Sequence, residues 1–224
     1  LKQLKNIKTI CKKTGKYSGT YRTPKLKIIA GEKTKETIHK ENSINLKLNV
    51  EKVYFSTRSG NERLRISKLV KKKEEVLVMF SGCAPFPCVI SKNSDAKSIL
   101  GVEINPTAHK YAMENIILNK LTNIILTKGD VNKVLPKLKK KFDRILMPLP
   151  KSAEDFLELS LTKSKKGTII HFYDFLNEKD FHLAKEKVAK ACKKQKKKFK
   201  MIKLVKCGHF GPRVYRISLD FKVL

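Results

Sequence analysis

The sequence predicts an α/β fold in which a mostly parallel sheet follows a small α+β unit. Short apolar runs recur along residues 76–172 with helical segments between them, the pattern of parallel strands joined by crossover helices. Two β-rich segments, Met201–Lys206 and Val214–Val223, then close the chain. A terminal antiparallel β-hairpin on the sheet edge is their simplest arrangement. We assign residues 1–70 to the small domain and residues 71–224 to the α/β domain.

The first 70 residues mix short β-like runs with turns. Asn45–Val50 alternates polar and apolar residues, as a half-exposed strand does. A helix is predicted from Asn61 to Lys71, with Ile66, Leu69 and Val70 on its buried side.

The remaining elements follow from longer apolar patterns. Val76–Phe80 is a continuous apolar run, as expected for a strand covered on both faces. Further strands are predicted at Ser98–Ile104, Asn123–Leu126, Phe142–Met147 and Thr168–Phe172, and helices at Thr107–Leu118, Ser152–Leu161 and Glu178–Lys193. His171 falls in a predicted core strand, where a structural role is expected.

The charge of the chain indicates a polyanionic partner. Its 224 residues include 51 Lys and Arg but only 20 Asp and Glu, which gives a net charge of +31. Nucleic acid fits this excess best, because each phosphate contact releases bound counterions; a lysine-rich solvated surface is the alternative. No apolar run approaches the ~20 residues of a membrane span, and no signal-peptide pattern is present. We therefore expect a cytoplasmic protein without a membrane partner.

Cysteine and histidine spacing predicts neither a disulfide framework nor a metal site. The five cysteines form no Cys-x-x-Cys pair, and the five histidines show no ligand spacing. We expect reduced thiols, no bound metal and a monomer. The chain begins at Leu1 rather than Met, so we also expect that N-terminal sequence is missing.

Three strand ends predict a nucleoside cofactor, since ligands of open α/β sheets bind beyond the carboxyl ends of the strands. Gly82 follows the first strand, Glu103 ends the second and is placed to accept ribose hydroxyls, and Asp130 follows the third, where it can accept an adenine amino group. Alone, Glu103 can be a helix N-terminal charge and Asp130 a helix N-cap. We also assign the neighbouring residues Phe80, Ile104 and Val131 to the cofactor site.

The cofactor is predicted to be S-adenosylmethionine. NAD also carries an adenosine, but the glycine pattern at Gly82 is too weak for a pyrophosphate seated on a helix N-terminus. The β-rich tail after the fifth helix favours a methyltransferase architecture.

At this point the sequence resembles a known family, the tRNA (guanine-37-N1) methyltransferases of archaea and eukaryotes and their relatives in wybutosine synthesis. The resemblance covers nearly the whole chain. It rests on the ordered motifs Gly19–Arg22, Ala30–Asn42, Val53–Arg63, Met79–Gly82, Glu103–Pro106, Leu149–Pro150 and His171–Phe175. It implies a small RNA-facing domain, then a Rossmann-like class I S-adenosylmethionine-dependent methyltransferase domain that acts on the tRNA anticodon stem-loop. Relatives also carry a further N-terminal domain.

The resemblance also implies catalytic roles. Guanine N1 holds a proton at neutral pH, so a base must remove it while negative charge grows on O6. Glu62 is similar to the family's general base, Arg22 to the residue that stabilises the O6 charge, and Tyr54 to a residue near the target base. Arg63 matches a cofactor contact. Without the resemblance, the residues favour a first-turn carboxylate at Glu62 and a phosphate contact at Arg22, and they also allow a core tyrosine at Tyr54 and an exposed helix arginine at Arg63.

The chain departs from the family pattern at three places. Val78 stands where relatives usually have Asp, and Gly82-Cys83-Ala84 where they have Gly-x-Gly. Pro148 replaces the Asn of an Asn-Leu-Pro motif, although we keep Pro148 in the predicted cofactor site. Proline offers no side-chain donor and no N–H. Pro148 and Val78 leave open a catalytically silent RNA-binding protein as an alternative to N1 methylation. Aminocarboxypropyl transfer also stays open, because it attacks another carbon of the same sulfonium, although Glu62 favours methylation.

Overall fold

The computed structural model describes residues 7–149 and 152–224 and confirms the α/β fold. The small β-rich part contains β1 (Thr9–Lys13), β2 (Leu26–Gly31), β3 (Glu36–Glu41) and β4 (Ile44–Asn49). The elements that follow are α1 (Gly60–Leu69), β5 (Glu75–Met79), α2 (Pro85–Asn93), β6 (Ser98–Glu103), α3 (Pro106–Leu118), β7 (Ile124–Lys128), α4 (Val131–Val134), β8 (Phe142–Met147), α5 (Leu157–Thr162), β9 (Ser164–Asn177), α6 (His182–Lys194), β10 (Phe199–Gly211) and β11 (Val214–Val223).

The main sheet has seven strands in the order β10-β11-β9-β8-β5-β6-β7. Strands β5 to β9 pair in parallel, and the β10–β11 hairpin extends the sheet antiparallel to β9, as the sequence predicts. The chain runs from β5 outward to β7 and then returns to β8 on the other side of β5. Strand order therefore reverses at the carboxyl end of β5, the place where open α/β sheets bind ligands. Within the described residues, no helix is long and apolar enough to cross a membrane.

Most predicted elements are found close to their predicted bounds, but β9 and β10 extend several residues beyond the predicted Thr168–Phe172 and Met201–Lys206. Helix α2 was not predicted, because Pro85 and Pro87 make its start look like a loop; Pro85 is tolerated because it stands in the first helical turn. The predicted helix Ser152–Leu161 begins as a 3-10 turn, and Glu178–Lys193 is likewise a 3-10 turn followed by α6. Leu69 was expected to be buried but is 43% exposed at the end of α1.

Strand β4 docks the small β-rich part onto the main domain. Its alternate residues Ile44, Leu46 and Leu48 are buried and pack in one cluster with residues of α2 and α3. The division at residue 70 stays a prediction, since Ile66 and Val70 of the first region pack in one cluster with residues of β5. Residues 1–6 of the predicted small domain, and Pro150 of the Leu149–Pro150 motif, lie outside the described residues.

Two asparagines, one in α3 and one directly after it, take the place of a neighbouring strand along the free edge of β4. The Asn115 side chain accepts from the backbone N–H of Lys47 at 2.7 Å and donates to the Lys47 carbonyl at 3.1 Å. Asn119, one turn later, makes the same pair of hydrogen bonds with Asn45. Asn115 is fully buried and also donates to the Cys83 carbonyl, in the loop after β5. This amide therefore joins β4, α3 and the loop that leads into α2.

We expect Asn115→Leu to destabilise the fold strongly. The substitution leaves the Lys47 N–H and two carbonyls unpaired away from water, at a cost of about 1–3 kcal/mol for each such group. Denaturant unfolding should show a free energy of unfolding lower by several kcal/mol. Met113→Leu, at an exposed position of the same helix, is the control and should change it by less than about 0.5 kcal/mol. Equal stability of the two variants would contradict the bridging role of Asn115.

Candidate active site

A cleft of about 850 Å³, counted with the solvent space at its mouth, lies over the carboxyl ends of the parallel strands. The main sheet contributes residues after β5, β6 and β8, and the small β-rich part contributes its turns. Most of the predicted site residues line this cleft: Arg22, Tyr54, Arg63, Phe80, Gly82, Glu103, Ile104 and Pro148. The structure thus brings together side chains that are up to 126 positions apart in the sequence, from Arg22 to Pro148.

Glu103 holds the loop after β5 in place. Its carboxylate accepts hydrogen bonds from the backbone N–H groups of Gly82 and Asn105, both at 2.7 Å. Gly82 takes φ of +58°, a conformation that favours glycine. Gly101 allows the close approach of this loop to β6, because a Cβ there would lie 3.0 Å from Ser81 Oγ. Burial raises the pKa of Glu103, and the two N–H groups oppose that shift.

The departures at Val78 and Ala84 are accommodated by packing. Val78 is fully buried in a cluster with Ile66, Phe86 and Tyr173, so this position presents a methyl surface rather than a carboxylate. Ala84 takes φ of +64° as the residue before α2. The loop keeps the left-handed conformation that glycine would adopt more readily, which costs alanine some strain.

Arg22 and Tyr54 face the cleft from the small β-rich part. Arg22 has φ of +50° in a tight turn closed by its N–H to the Gly19 carbonyl. Such a conformation is unfavourable for a non-glycine residue and is common at functional sites. Burial lowers the pKa of Arg22 and raises that of Tyr54. Tyr17 packs edge-on against Tyr54 with ring centroids 5.8 Å apart.

Arg63 lines the cleft but has its own internal partner. It is 2% exposed, and its Nε and Nη2 both donate to the carboxylate of Glu41. Nη2 also donates to the carbonyl of Ser56. The guanidinium therefore ties α1 to β3, and only its remaining surface faces the cleft.

Glu62, Asp130 and Val131 are predicted site residues that do not line the cleft. Asp130 caps α4 by accepting from the N–H of Asn132 at 2.9 Å, and it follows Gly129, whose N–H donates to the Glu103 carbonyl. Val131 is buried in the main core. Asp130 therefore lies at the next strand end beside Glu103, while its carboxylate has the N-cap role that the sequence left open.

Glu62 is buried just behind the cleft in a cluster of charged side chains. Its carboxylate accepts from Nε and Nη2 of Arg65, each at 2.7 Å, and from the Tyr173 hydroxyl at 2.6 Å. Nη1 of Arg65 donates to Asp220 at 2.7 Å. Burial works to raise the pKa of Asp220, but hydrogen bonds from His171, Arg65 and Ser218 outweigh it and hold this pKa below its usual range.

His171 links this cluster to Arg144 on β8. It is fully buried, its Nδ1 lies 2.7 Å from Asp220 Oδ1, and its Nε2 lies 2.8 Å from Nη1 of Arg144. Since Arg144 can only donate, Nε2 accepts and the ring proton is on Nδ1. Arg144 is itself paired with Glu74. The expectation of a structural role for His171 agrees with this burial and pairing.

Two cleft residues that carry unpaired polar atoms were not among the predicted site residues. Among the described residues, the buried side-chain N and O atoms that lack a hydrogen-bond partner are Ser81 Oγ and Arg216 Nε, and both residues line the cleft. A buried unpaired polar group costs about 1–3 kcal/mol. The alternation of Arg216, Ser218 and Asp220 along β11 was the available signal, because it marks one polar face on a strand whose other face is apolar.

A family model and several known proteins match this chain. The model described as the TRM5/TYW2 methyltransferase domain matches residues 37–202. A relative named tRNA (guanine(37)-N(1))-methyltransferase Trm5b, from Pyrococcus abyssi, is 40% identical over 222 residues, which cover 98% of this chain and 65% of the relative. Its crystal structure superposes with a TM-score of 0.87 over the same shares of the two chains. The chain thus spans slightly less than two thirds of this relative.

Two further solved structures contain ligands. The complex of aTrm5 with tRNALeu gives a TM-score of 0.84 at 33% identity and covers 96% of this chain and 61% of that chain. Methanocaldococcus jannaschii TYW2 in complex with AdoMet gives 0.79 at 30% identity and covers 88% of this chain and 90% of that chain. The fold is therefore that of the S-adenosylmethionine-dependent methyltransferases, as predicted.

The buried histidine generates a prediction about pH. Burial lowers the pKa of His171; the bond to Asp220 opposes that effect and Arg144 adds to it. Below the unfolded value of about 6.5, the unfolded chain therefore takes up a proton before the native protein does, and stability falls as pH falls. This histidine should contribute a slope of up to about 1.4 kcal/mol per pH unit below pH 6.5.

Denaturant unfolding at several pH values between 5 and 7.5 would measure that slope. His171→Gln should be less stable at neutral pH and should have a shallower pH dependence than the unsubstituted chain. His182→Gln, at an exposed position at the start of α6, should keep the original dependence. The same slope in all three proteins would show that His171 does not titrate on unfolding.

Proposed function

This chain belongs to the TRM5/TYW2 methyltransferase family, and from that membership we propose that it methylates N1 of guanosine 37 in tRNA with S-adenosylmethionine as the methyl donor. The observation that carries the proposal is the cleft at the strand ends, where Glu103, Arg22 and Tyr54 converge. The tRNA partner is supported by the net charge of +31, which suits a phosphate backbone. Cytoplasmic location and a monomeric state remain part of the proposal.

The residues around Glu103 suit a nucleoside cofactor. Glu103 has a buried carboxylate that faces the cleft and can accept further hydrogen bonds, and the neighbouring Ser81 hydroxyl has no partner among the described residues. Together they offer an acceptor and a donor for ribose hydroxyls, with Ile104 beside them as an apolar surface. When bound, S-adenosylmethionine supplies an electrophilic methyl group on a sulfonium.

Residues of the chain would then activate N1 of the guanine for methyl transfer. Glu62 takes the proton from N1, and Arg22 stabilises the negative charge that develops on O6. In the described structure Glu62 accepts three hydrogen bonds, from Arg65 and Tyr173. Because Glu62 is buried and does not line the cleft, proton removal requires its carboxylate to turn toward the cleft and exchange one of these bonds for the N1–H. Tyr54 borders the same part of the cleft and can pack against the base.

Aminocarboxypropyl transfer is the second candidate, because a relative named for that reaction matches most of this chain and Pro148 departs from the methylating pattern. Pro148 lines the cleft where the methylating pattern has Asn, so a side-chain donor for guanine or cofactor is lost at this point. A relative from Methanocaldococcus jannaschii that is 33% identical over 219 residues is named tRNA(Phe) (4-demethylwyosine(37)-C(7)) aminocarboxypropyltransferase. That reaction attacks a different carbon of the same sulfonium.

Cofactor binding should depend on Glu103. Loss of charge-assisted hydrogen bonds costs about 1.5–3 kcal/mol, so Glu103→Gln should weaken S-adenosylhomocysteine binding by about 10- to 150-fold in calorimetry. Glu114→Gln, at a solvent-facing position of α3, is the control and should bind normally. If the unsubstituted chain binds no cofactor, the silent RNA-binding alternative gains support. Unchanged binding by Glu103→Gln would remove Glu103 from the cofactor site.

Turnover should depend on Glu62. Glu62→Gln should keep cofactor binding but lower the rate of tRNA methylation by about 10²- to 10⁴-fold, the usual contribution of a general base. Mass spectrometry of tRNA nucleosides after incubation gives both rate and product, because a methyl group and an aminocarboxypropyl group differ greatly in mass. Glu158→Gln is the control, because it too removes one carboxylate from an ion pair, in this case with Lys194. A normal rate in Glu62→Gln would assign the base to another residue.

A further inference from the structure

The Arg216 guanidinium is fixed on two sides, and its Nε is left without a partner in the described part of the chain. Its Nη1 donates to the Ser59 hydroxyl, and its central carbon lies 4.9 Å from the centre of the Tyr173 ring. Its Nε is buried and has no hydrogen-bond partner among the described residues. The side chain lines the cleft. A rigid arginine with an unpaired buried donor in a cleft is prepared for an acceptor from a ligand.

Within the described residues, the unpaired edge of Arg216 is the one that carries Nε and Nη2. Two other arginines of this protein use that edge to bind a pair of acceptor atoms: Arg63 binds both carboxylate oxygens of Glu41, and Arg65 binds both of Glu62. For Arg216, no hydrogen bond from Nη2 to a described residue accompanies the unpaired Nε. The geometry therefore calls for a ligand with two adjacent acceptors, which an arginine fork binds in a bidentate manner.

Arg216 lies far from the strand that carries the predicted cofactor residue Glu103. Its strand, β11, is separated from β6, which carries Glu103, by β9, β8 and β5. At a strand spacing of about 4.8 Å, the two strands lie about 19 Å apart. Arg216 is also close to the candidate base, since Ser59 precedes Glu62 by one turn and Tyr173 donates to Glu62.

We propose that Arg216 binds the O6 and N7 atoms of the target guanine, an inference that rests on the proposed function. These two atoms are the acceptor pair that an arginine fork most often recognises on guanine. N1 is bonded to C6, the ring carbon that carries O6, so a base at Glu62 and a fork at Arg216 address neighbouring edges of the same molecule. Arg216 orients the guanine and shares with Arg22 the charge that develops on O6.

The test removes the acceptor and the donor separately. Transcripts of the tRNA carry either guanosine or 7-deazaguanosine at position 37, the latter with a C–H in place of N7. The full chain, Arg216→Met and Arg213→Met are compared for kcat/KM and for the affinity of the matching anticodon stem-loops, measured by fluorescence anisotropy. Arg213 is on the same hairpin, and its side chain is 71% exposed, so its variant controls for loss of positive charge.

For the unsubstituted chain, the deaza substrate should lower kcat/KM by about 5- to 150-fold, the usual discrimination of a bidentate base contact. Arg216→Met should lower kcat/KM on guanosine by a similar factor and should not distinguish the two substrates. Arg213→Met should keep the full discrimination. Arg216→Lys, which retains the charge but has no fork, serves if the methionine variant does not fold, and it should lose most of the discrimination.

Several outcomes would overturn the proposal. Discrimination by Arg216→Met equal to that of the unsubstituted chain would exclude a contact with N7, as would an unsubstituted chain that treats both substrates alike. Weakened S-adenosylhomocysteine binding with N7 discrimination intact would assign Arg216 to the cofactor carboxylate. Salt-dependent loss of stem-loop affinity with discrimination intact would assign it to a phosphate. An absence of methylated guanosine in all reactions would reject the proposed function, and the stem-loop affinities would still decide whether Arg216 contacts N7.

Discussion

The candidate active site depends on the bridge that Arg65 makes between Glu62 and Asp220. Burying these carboxylates is costly, and the pairing with Arg65 offsets that cost only while every partner is in place. Breaking such a pair by removing one member typically costs about 3–5 kcal/mol. Because Glu62 is on α1 and Asp220 on β11, the bridge fixes the first turns of the helix against the antiparallel end of the sheet. The same bridge thus sets where Ser59 and Arg216 meet.

A second set of polar contacts fixes the opposite side of the cleft. Asn115 and Asn119 bind β4 through their side-chain amides, and Asn105 donates to the carbonyl of Lys52. The small β-rich part is therefore held by directional bonds as well as by the apolar face of β4. Tyr54, which follows Lys52 closely in the chain, is placed in the cleft by these bonds together with the packing of Val53.

Much of the fold could be predicted from the sequence because its strands have strong patterns. The apolar runs of β5, β6 and β8 and the alternation of β11 identify these strands to within a residue or two. Helix α2 was missed because its prolines resemble a turn until the backbone shows that Pro85 stands in the first turn. Leu69 was misjudged because the helix ends there, and periodicity does not show on which side the chain then departs.

The strand patterns also allowed part of the candidate site to be predicted. Residues at strand ends, such as Gly82 and Glu103, can be found by counting along the chain, because parallel strands end at a common edge. Arg216 and Ser59 could not, because they are 157 positions apart and meet only when the hairpin is in place. Sequence patterns also cannot predict whether the Glu62 carboxylate faces the cleft, because its hydrogen bonds with Arg65 and Tyr173 decide its orientation.

The position of β11 has a consequence for the order in which this protein is completed during translation. This strand is inserted between β9 and β10, and it carries both Arg216 and Asp220. A nascent chain that ends before residue 214 lacks Asp220, one of the two carboxylate partners of Arg65, and the part of the cleft wall that Arg216 forms. The cleft is therefore complete only after β11 has been synthesised and added to the sheet.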